Sequence, residues 1–172
     1  MVTSQTKSLK ALRTAVQMEK DGKNYYLKMS QTSRNDLGKK LFQSLAAEED
    51  AHLKIFEQIY STIDTNLGWP ELEFTPRNGK ELRTLFADAS ENPEYVSSEL
   101  GAIQTAMDME NKSQDFYLER AGKATSEIEK KYYTLLAGEE RAHHAVLLDY
   151  FEYLKNPEQY FTLKERQSLD GG

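Results

Sequence analysis

Cysteine is absent from the 172 residues, which excludes disulfides, thiol catalysis and any Cys-ligated iron centre in this chain. Long apolar runs are missing as well. Nothing approaches the roughly 20 residues of a membrane span, so no membrane partner is expected. The opening Met1-Val2-Thr3-Ser4-Gln5-Thr6-Lys7 lacks the apolar core of a signal peptide, which makes a cytoplasmic location the expectation. No basic block is present to neutralise phosphates, and a formal charge of −6 argues against a nucleic-acid partner. Proline is scarce: its four copies, at 70, 76, 93 and 157, fall where the helical pattern breaks. With 38% hydrophobic and 29% charged residues, the chain suits one domain with a real core.

Histidine is also rare, at three copies, yet two of them recur in one motif: Glu48-Glu49-Asp50-Ala51-His52 and Glu139-Glu140-Arg141-Ala142-His143. Each contains Glu-x-x-His, and residues at i and i+3 are neighbours on one face of a helix. A shift of 91 positions superimposes the two without a gap. It also pairs Glu19 with Glu110, Tyr26 with Tyr117 and Met18 with Met109, with 16 identities between residues 9–60 and 100–151. Such self-similarity predicts a duplicated helical hairpin.

Apolar residues recur at helical spacing in four long segments. Hairpin one is expected over about 4–63, with Leu9, Leu12, Val16, Tyr26 and Met29 on its first stripe and Leu37, Leu41, Leu45, Phe56 and Ile59 on its second. Asn35 or Asp36 is the expected cap between them. Residues 61–97 break the pattern and predict a crossover, with a short helix over 78–89. Hairpin two is expected over about 96–155: Leu100, Ile103, Ala106 or Met107 and Tyr117, then a capping box at Ser126–Glu129, then Tyr132, Leu136, Leu147 and Leu154. Residues 156–172 are read as a tail whose Tyr160, Phe161 and Leu163 dock on the bundle.

Glu19, Glu49, Glu110 and Glu140 stand where these stripes call for core residues. A Glu on a helix is usually solvated, and a lone His is more often packing than a ligand. Four inward carboxylates are different: they repel, and an unpaired buried charge costs several kcal/mol. No Lys or Arg repeats at the inner positions. A pair of divalent cations resolves the conflict, held by Glu19, Glu49, His52, Glu110, Glu140 and His143. This donor set matches the carboxylate-bridged di-iron and di-manganese bundles, with a Glu from each of two helices and Glu-x-x-His from each of the others. Mixed oxygen and imidazole donors suit iron or manganese; zinc also fits.

On Met18-Glu19 with Tyr25-Tyr26, Met109-Glu110 with Phe116-Tyr117, and the two Glu-Glu-x-Ala-His motifs, the chain resembles the rubrerythrin family of the ferritin-like superfamily, over roughly residues 7–60 and 98–154. The resemblance implies an all-α, ferritin-like four-helix bundle with two iron ions. Glu49 and Glu140 would bridge them, Glu19 and His52 would complete one site, and Glu110 and His143 the other. Tyr26 and Tyr117 would hydrogen-bond ligand carboxylates. It further implies an oxidoreductase that reduces hydrogen peroxide or dioxygen and protects against oxidative stress, with a homodimer as the expected assembly. Ferroxidation for iron storage or delivery and hydroxylation of an organic substrate are the alternatives. Two departures stand out. Without cysteine there is no rubredoxin module, so electrons must come from outside, from a donor such as rubredoxin. The extra Glu that rubrerythrins place one turn after the ligand of the third helix is here Ser113, matched by Gly22 in the first half; the site reads as a more symmetric six-ligand centre, closer to bacterioferritin.

Overall fold

A computed structural model describes residues 4–65, 67–90, 93–95 and 97–170; of these, the side chains of Ser4, Asp88 and 164–170 are not described. Met1–Thr3, Asn66, Glu91, Asn92, Val96 and the terminal Gly171-Gly172, which fall within the ranges expected above, lie outside the described residues. Among those described, every regular element is helical. The long ones are α1 (Ser4–Thr32), α2 (Asp36–Asp64), α4 (Ser97–Lys123) and α5 (Glu127–Lys155); between them lie the short α3 (Lys80–Thr84) and a 3-10 turn (Leu85–Asp88), and α6 (Pro157–Asp170) closes the chain.

The duplication is visible in these bounds. α2 and α5 have 29 residues each and are offset by the 91 positions of the repeat, and α1 and α4 end at equivalent residues. Equivalent caps start α2 and α5. The Asn35 side chain accepts from the amides of Leu37 (2.8 Å) and Gly38 (3.3 Å). Ser126 Oγ accepts from Glu129 N at 3.1 Å, while Glu129 reaches back to the Thr125 amide at 3.2 Å, one residue beyond a standard capping box. The expected tail is instead largely helix: Asn156 accepts from the Gln159 amide at 3.1 Å, and Pro157 occupies the first helical position, where its missing N–H costs nothing. Tyr160 is buried in the same cluster as Phe86, and Phe161 packs against it.

Three-residue connections make α1/α2 and α4/α5 antiparallel hairpins. The hairpins also meet antiparallel, since residues 19 and 26 of α1 face 117 and 110 of α4. α4 therefore starts at the opposite end of the bundle from where α2 stops, about 43 Å away for a 29-residue helix. The described residues between α2 and α4 run along the bundle over that distance, with Leu82 and Phe86 buried against it. Midway, Asn78 and Gly79 adopt left-handed φ values of 52° and 63°. Gly79 is required there: a Cβ would also lie 3.1 Å from Val146 Cγ2 on α5.

Two apolar clusters fill the bundle. One contains Leu41, Phe42, Leu45, Ile103, Leu147 and Tyr150; the other contains Leu12, Phe56, Ile59, Tyr117, Tyr133 and Leu136. The waist between them is polar.

Candidate metal centre

The waist gathers the six residues that the repeat singles out. Glu19, Glu49, His52, Glu110, Glu140 and His143 are all buried, none more than 3% exposed. They form two overlapping sets, Glu19/Glu49/His52/Glu140 and Glu49/Glu110/Glu140/His143, in each of which one ligand atom per residue lies within 4.8 Å of the others. Glu49 and Glu140 belong to both. His52 Nδ1 stands 3.3 Å from Glu19 Oε2, 3.6 Å from Glu140 Oε1 and 3.8 Å from Glu49 Oε2. His143 Nδ1 stands 3.2 Å from Glu49 Oε1 and 3.7 Å from Glu110 Oε2. The two imidazoles stack with centroids 5.7 Å apart.

Tyr26 and Tyr117 each donate to a cluster carboxylate, but across the halves. Tyr26 on α1 donates to Glu110 on α4, and Tyr117 on α4 donates to Glu19 on α1. Antiparallel packing of α1 on α4 is the reason: two turns along one helix brings a side chain level with its partner's carboxylate.

Crowding carboxylates out of water shifts the titration of Glu19, Glu49 and Glu140. Burial, reinforced by the charge of Glu49, pushes Glu19 up to about 8. Burial and the charges of Glu49 and Glu110 push Glu140 well above the carboxylate range. Burial works against charge on Glu49 too, but the closeness of Glu19, His143 and His52 holds it well below that range. Burial likewise opposes charge on His52, yet Glu19 and Glu49 push it up to about 10. His143 is raised by Glu110, Glu48 and Glu49 against the same opposition. The cluster thus holds protons where cations would sit, and cation binding must release them. Even so, Glu110 Oε2, Glu140 Oε1 and His143 Nδ1 remain buried without a hydrogen-bond partner. Such orphans are rare in native interiors, and all three belong to the two sets. The donor chemistry and these unpartnered atoms fit a pair of divalent metals.

Two further carboxylates flank the cluster. Glu48 and Glu139 are identical across the repeat, a signal that sequence reasoning passed over because each adjoins a stronger candidate. Glu48 Oε2 lies 2.8 Å from His143 Nε2, so it fixes that imidazole with Nδ1 toward the waist. Its counterpart does otherwise: Glu139 accepts from the amides of Arg77 (3.1 Å) and Asn78 (2.9 Å) at the left-handed turn of the crossover. Next to His52, a cavity of about 180 Å³ is bordered by Glu48, Phe74, Thr75, Arg77 and Glu139. Gly22 is buried, and a Cβ there would meet the carboxyl carbon of Glu49 at 3.6 Å, an ordinary contact. Ser113, its counterpart, is half-buried.

Among known proteins, the family model described as Rubrerythrin matches residues 10–95. That span holds the first hairpin and the crossover, half of the chain. Neither a curated protein nor a solved structure matches. No helix among the described residues is long and apolar enough to cross a membrane.

Proposed function

The chain belongs to the rubrerythrin family of di-iron, ferritin-like proteins, and from that membership we propose that its waist holds two iron ions and reduces hydrogen peroxide or dioxygen. The observation that carries this reading is the sharing of Glu49 and Glu140 by two four-residue sets. Glu19 and His52 would hold one ion, Glu110 and His143 the other, and the shared carboxylates would bridge. Bound there, the irons would supply one electron each and Lewis acidity toward the O–O bond.

The residues of the chain shape that chemistry. Tyr26 and Tyr117 each fix one oxygen of Glu110 and Glu19, which leaves the other oxygen directed at the waist. Glu48 would accept a hydrogen bond from Nε2–H of the metal-bound His143, so that Nδ1 presents its lone pair inward. The apolar clusters above and below exclude water and strengthen each electrostatic contact. Neither Gly22 nor Ser113 supplies a seventh carboxylate, and with no cysteine in the chain the reducing electrons come from a separate donor of the rubredoxin kind. The same six-ligand symmetry favours, as a second reading, oxidation of ferrous iron for storage or delivery.

Metal analysis and stopped-flow oxidation test both. Two irons per chain are expected, with a single oxidation event when the reduced protein meets either oxidant without a donor. Replacing Glu49 and Glu140 together with Ala should abolish the pair, because both ions share them. Full metal occupancy in that double variant would sink the assignment. Turnover of peroxide with an added donor supports the reductase; accumulation of many ferric ions per chain supports storage instead. The Ser113→Glu variant adds a carboxylate on the face of Glu110. It is expected to shift the ratio of oxidation rates toward peroxide.

A further inference from the structure

The chain has one tryptophan, and its surroundings are built around it. Trp69 lies in the extended stretch after α2, half-buried. Its indole stacks on Tyr132, with centroids 6.3 Å apart, and meets Tyr133 edge-on at 5.6 Å. The Tyr132 hydroxyl donates to the Leu72 carbonyl at 2.9 Å and accepts from the Leu72 amide, which clamps the segment that carries Trp69. Behind Trp69, Tyr133 stacks on Tyr117 at 6.1 Å with 22° between planes. The Tyr117 hydroxyl then donates to Glu19. Trp69, Tyr133 and Tyr117 thus form an unbroken series of oxidisable rings from the surface to the waist.

The other half of the bundle does not repeat this series. Tyr26 also bonds a waist carboxylate, but the ring stacked on it is Phe42, at 6.2 Å. Phe42 is the repeat partner of Tyr133, and a phenyl ring is far harder to oxidise than a phenol. Tyr25 touches Tyr26 edge-on, but its hydroxyl is held by the Ala102 carbonyl and no tryptophan stands behind it.

We propose that Trp69, Tyr133 and Tyr117 are an electron relay through which a one-electron donor at the Trp69 face re-reduces the waist. The inference rests on the redox reading of that centre. In each transfer one ring loses an electron as the next ring inward regains one. With Glu19 deprotonated, as a metal ligand is, Tyr117, when oxidised, passes its phenolic proton along the existing hydrogen bond to Glu19 and recovers it with the electron from Tyr133. The Tyr133 hydroxyl is buried with no partner, so nothing accepts its proton and the ring carries charge only in passing. Burial, which also pushes that hydroxyl up in pKa, points the same way. Trp69 supplies the next electron without losing a proton, and the donor is oxidised once for each electron delivered. The electrons end on the peroxide or dioxygen reduced at the waist.

Tyr133→Phe is the decisive variant, since it removes a hydroxyl that has no hydrogen bond to lose and keeps the ring. Two measurements on the full chain separate the relay from the reading beneath it. In the first, a ruthenium photo-oxidant generates the Trp69 radical by laser flash in the metal-free protein. The tryptophan signal should decay as a tyrosyl signal grows, and in Tyr133→Phe it should persist about tenfold longer. An unchanged lifetime overturns the relay, whatever the waist does. In the second, the iron-loaded reduced chain meets excess peroxide without a donor, and peptide mass spectrometry reads oxidised Trp69. Wild type should accumulate it, and Tyr133→Phe should fall to the level of the iron-free control at equal iron content. Equal Trp69 oxidation in the two proteins also overturns the relay. A slowed radical in the first measurement with no peroxide consumed in the second upholds the ring coupling and counts against the redox reading of the waist.

Discussion

Glu48 and Glu139 occupy one position of the repeat and end with different partners, an imidazole for one and two backbone amides for the other. Glu48→Gln should therefore weaken metal binding by about 10–100-fold, the usual effect of losing a carboxylate that orients a ligand histidine. Competition against a chromophoric chelator measures it, and an unchanged affinity would remove Glu48 from the site. Gly38 shows a second single-residue constraint. A Cβ there would fall on Tyr150 Oη and Ser33 Oγ, which both donate to the buried Glu99. Gly38→Ala is expected to cost about 1–3 kcal/mol, as overpacking does. Gly101, with nothing within 4 Å of its missing Cβ, is the contrast: Gly101→Ala should add about 0.5–1 kcal/mol from helix propensity alone. Urea titration of the pair reads both signs.

Glu139 holds the turn of the crossover. In Glu139→Gln the amides of Arg77 and Asn78 lose a charged acceptor, worth about 1.5–3 kcal/mol. Hydrogen exchange at those two amides should accelerate while the α2 amides stay protected; exchange that accelerates everywhere would mean that Glu139 supports the bundle instead. The four long helices were legible in the sequence because period and caps agree: Asn35 and Ser126 both cap as their residue types require. The short helix expected over 78–89 is there as α3 and a 3-10 turn, with Leu82 and Phe86 buried. α6 was not foreseen, since its apolar residues are few and the Asn156-Pro157 pair serves equally to end a helix or begin one. The waist was legible because charged residues at core positions break the period, and the duplication shows the break twice. What stayed hidden was anything set by the packing of one half on the other. Sequence spacing relates Tyr26 to Glu19, whereas the antiparallel approach of α4 delivers it to Glu110. The partners of Glu139 depend on a left-handed turn about 60 residues away that no local pattern announces.

Taken as one molecule, the metal-free chain stores protons at its waist. Glu19 titrates at about 8 rather than 4.5, and His52 at about 10 rather than 6.5. Groups raised in the folded state contribute stability that is full below their unfolded values and lost as pH climbs through the folded ones. The melting temperature of chelator-treated protein should therefore fall between pH 4.5 and 10, first as Glu19 loses its proton and then as His52 does. Metal-loaded protein should melt higher throughout and lose less over that range, because deprotonated ligands bind better. Parallel calorimetric scans test this, and superimposable curves would deny the waist a structural metal. The exchange of tyrosines between halves reaches further back. A lone ancestral hairpin carrying this motif would lack the phenol that steadies its own carboxylate, so it would have met that need only by pairing with a twin. In such a twin assembly every substitution appears twice, on both sides at once. Within a single chain that rule is lifted: Glu139 holds the crossover while Glu48 holds an imidazole, and Phe42 stands where the other half has Tyr133.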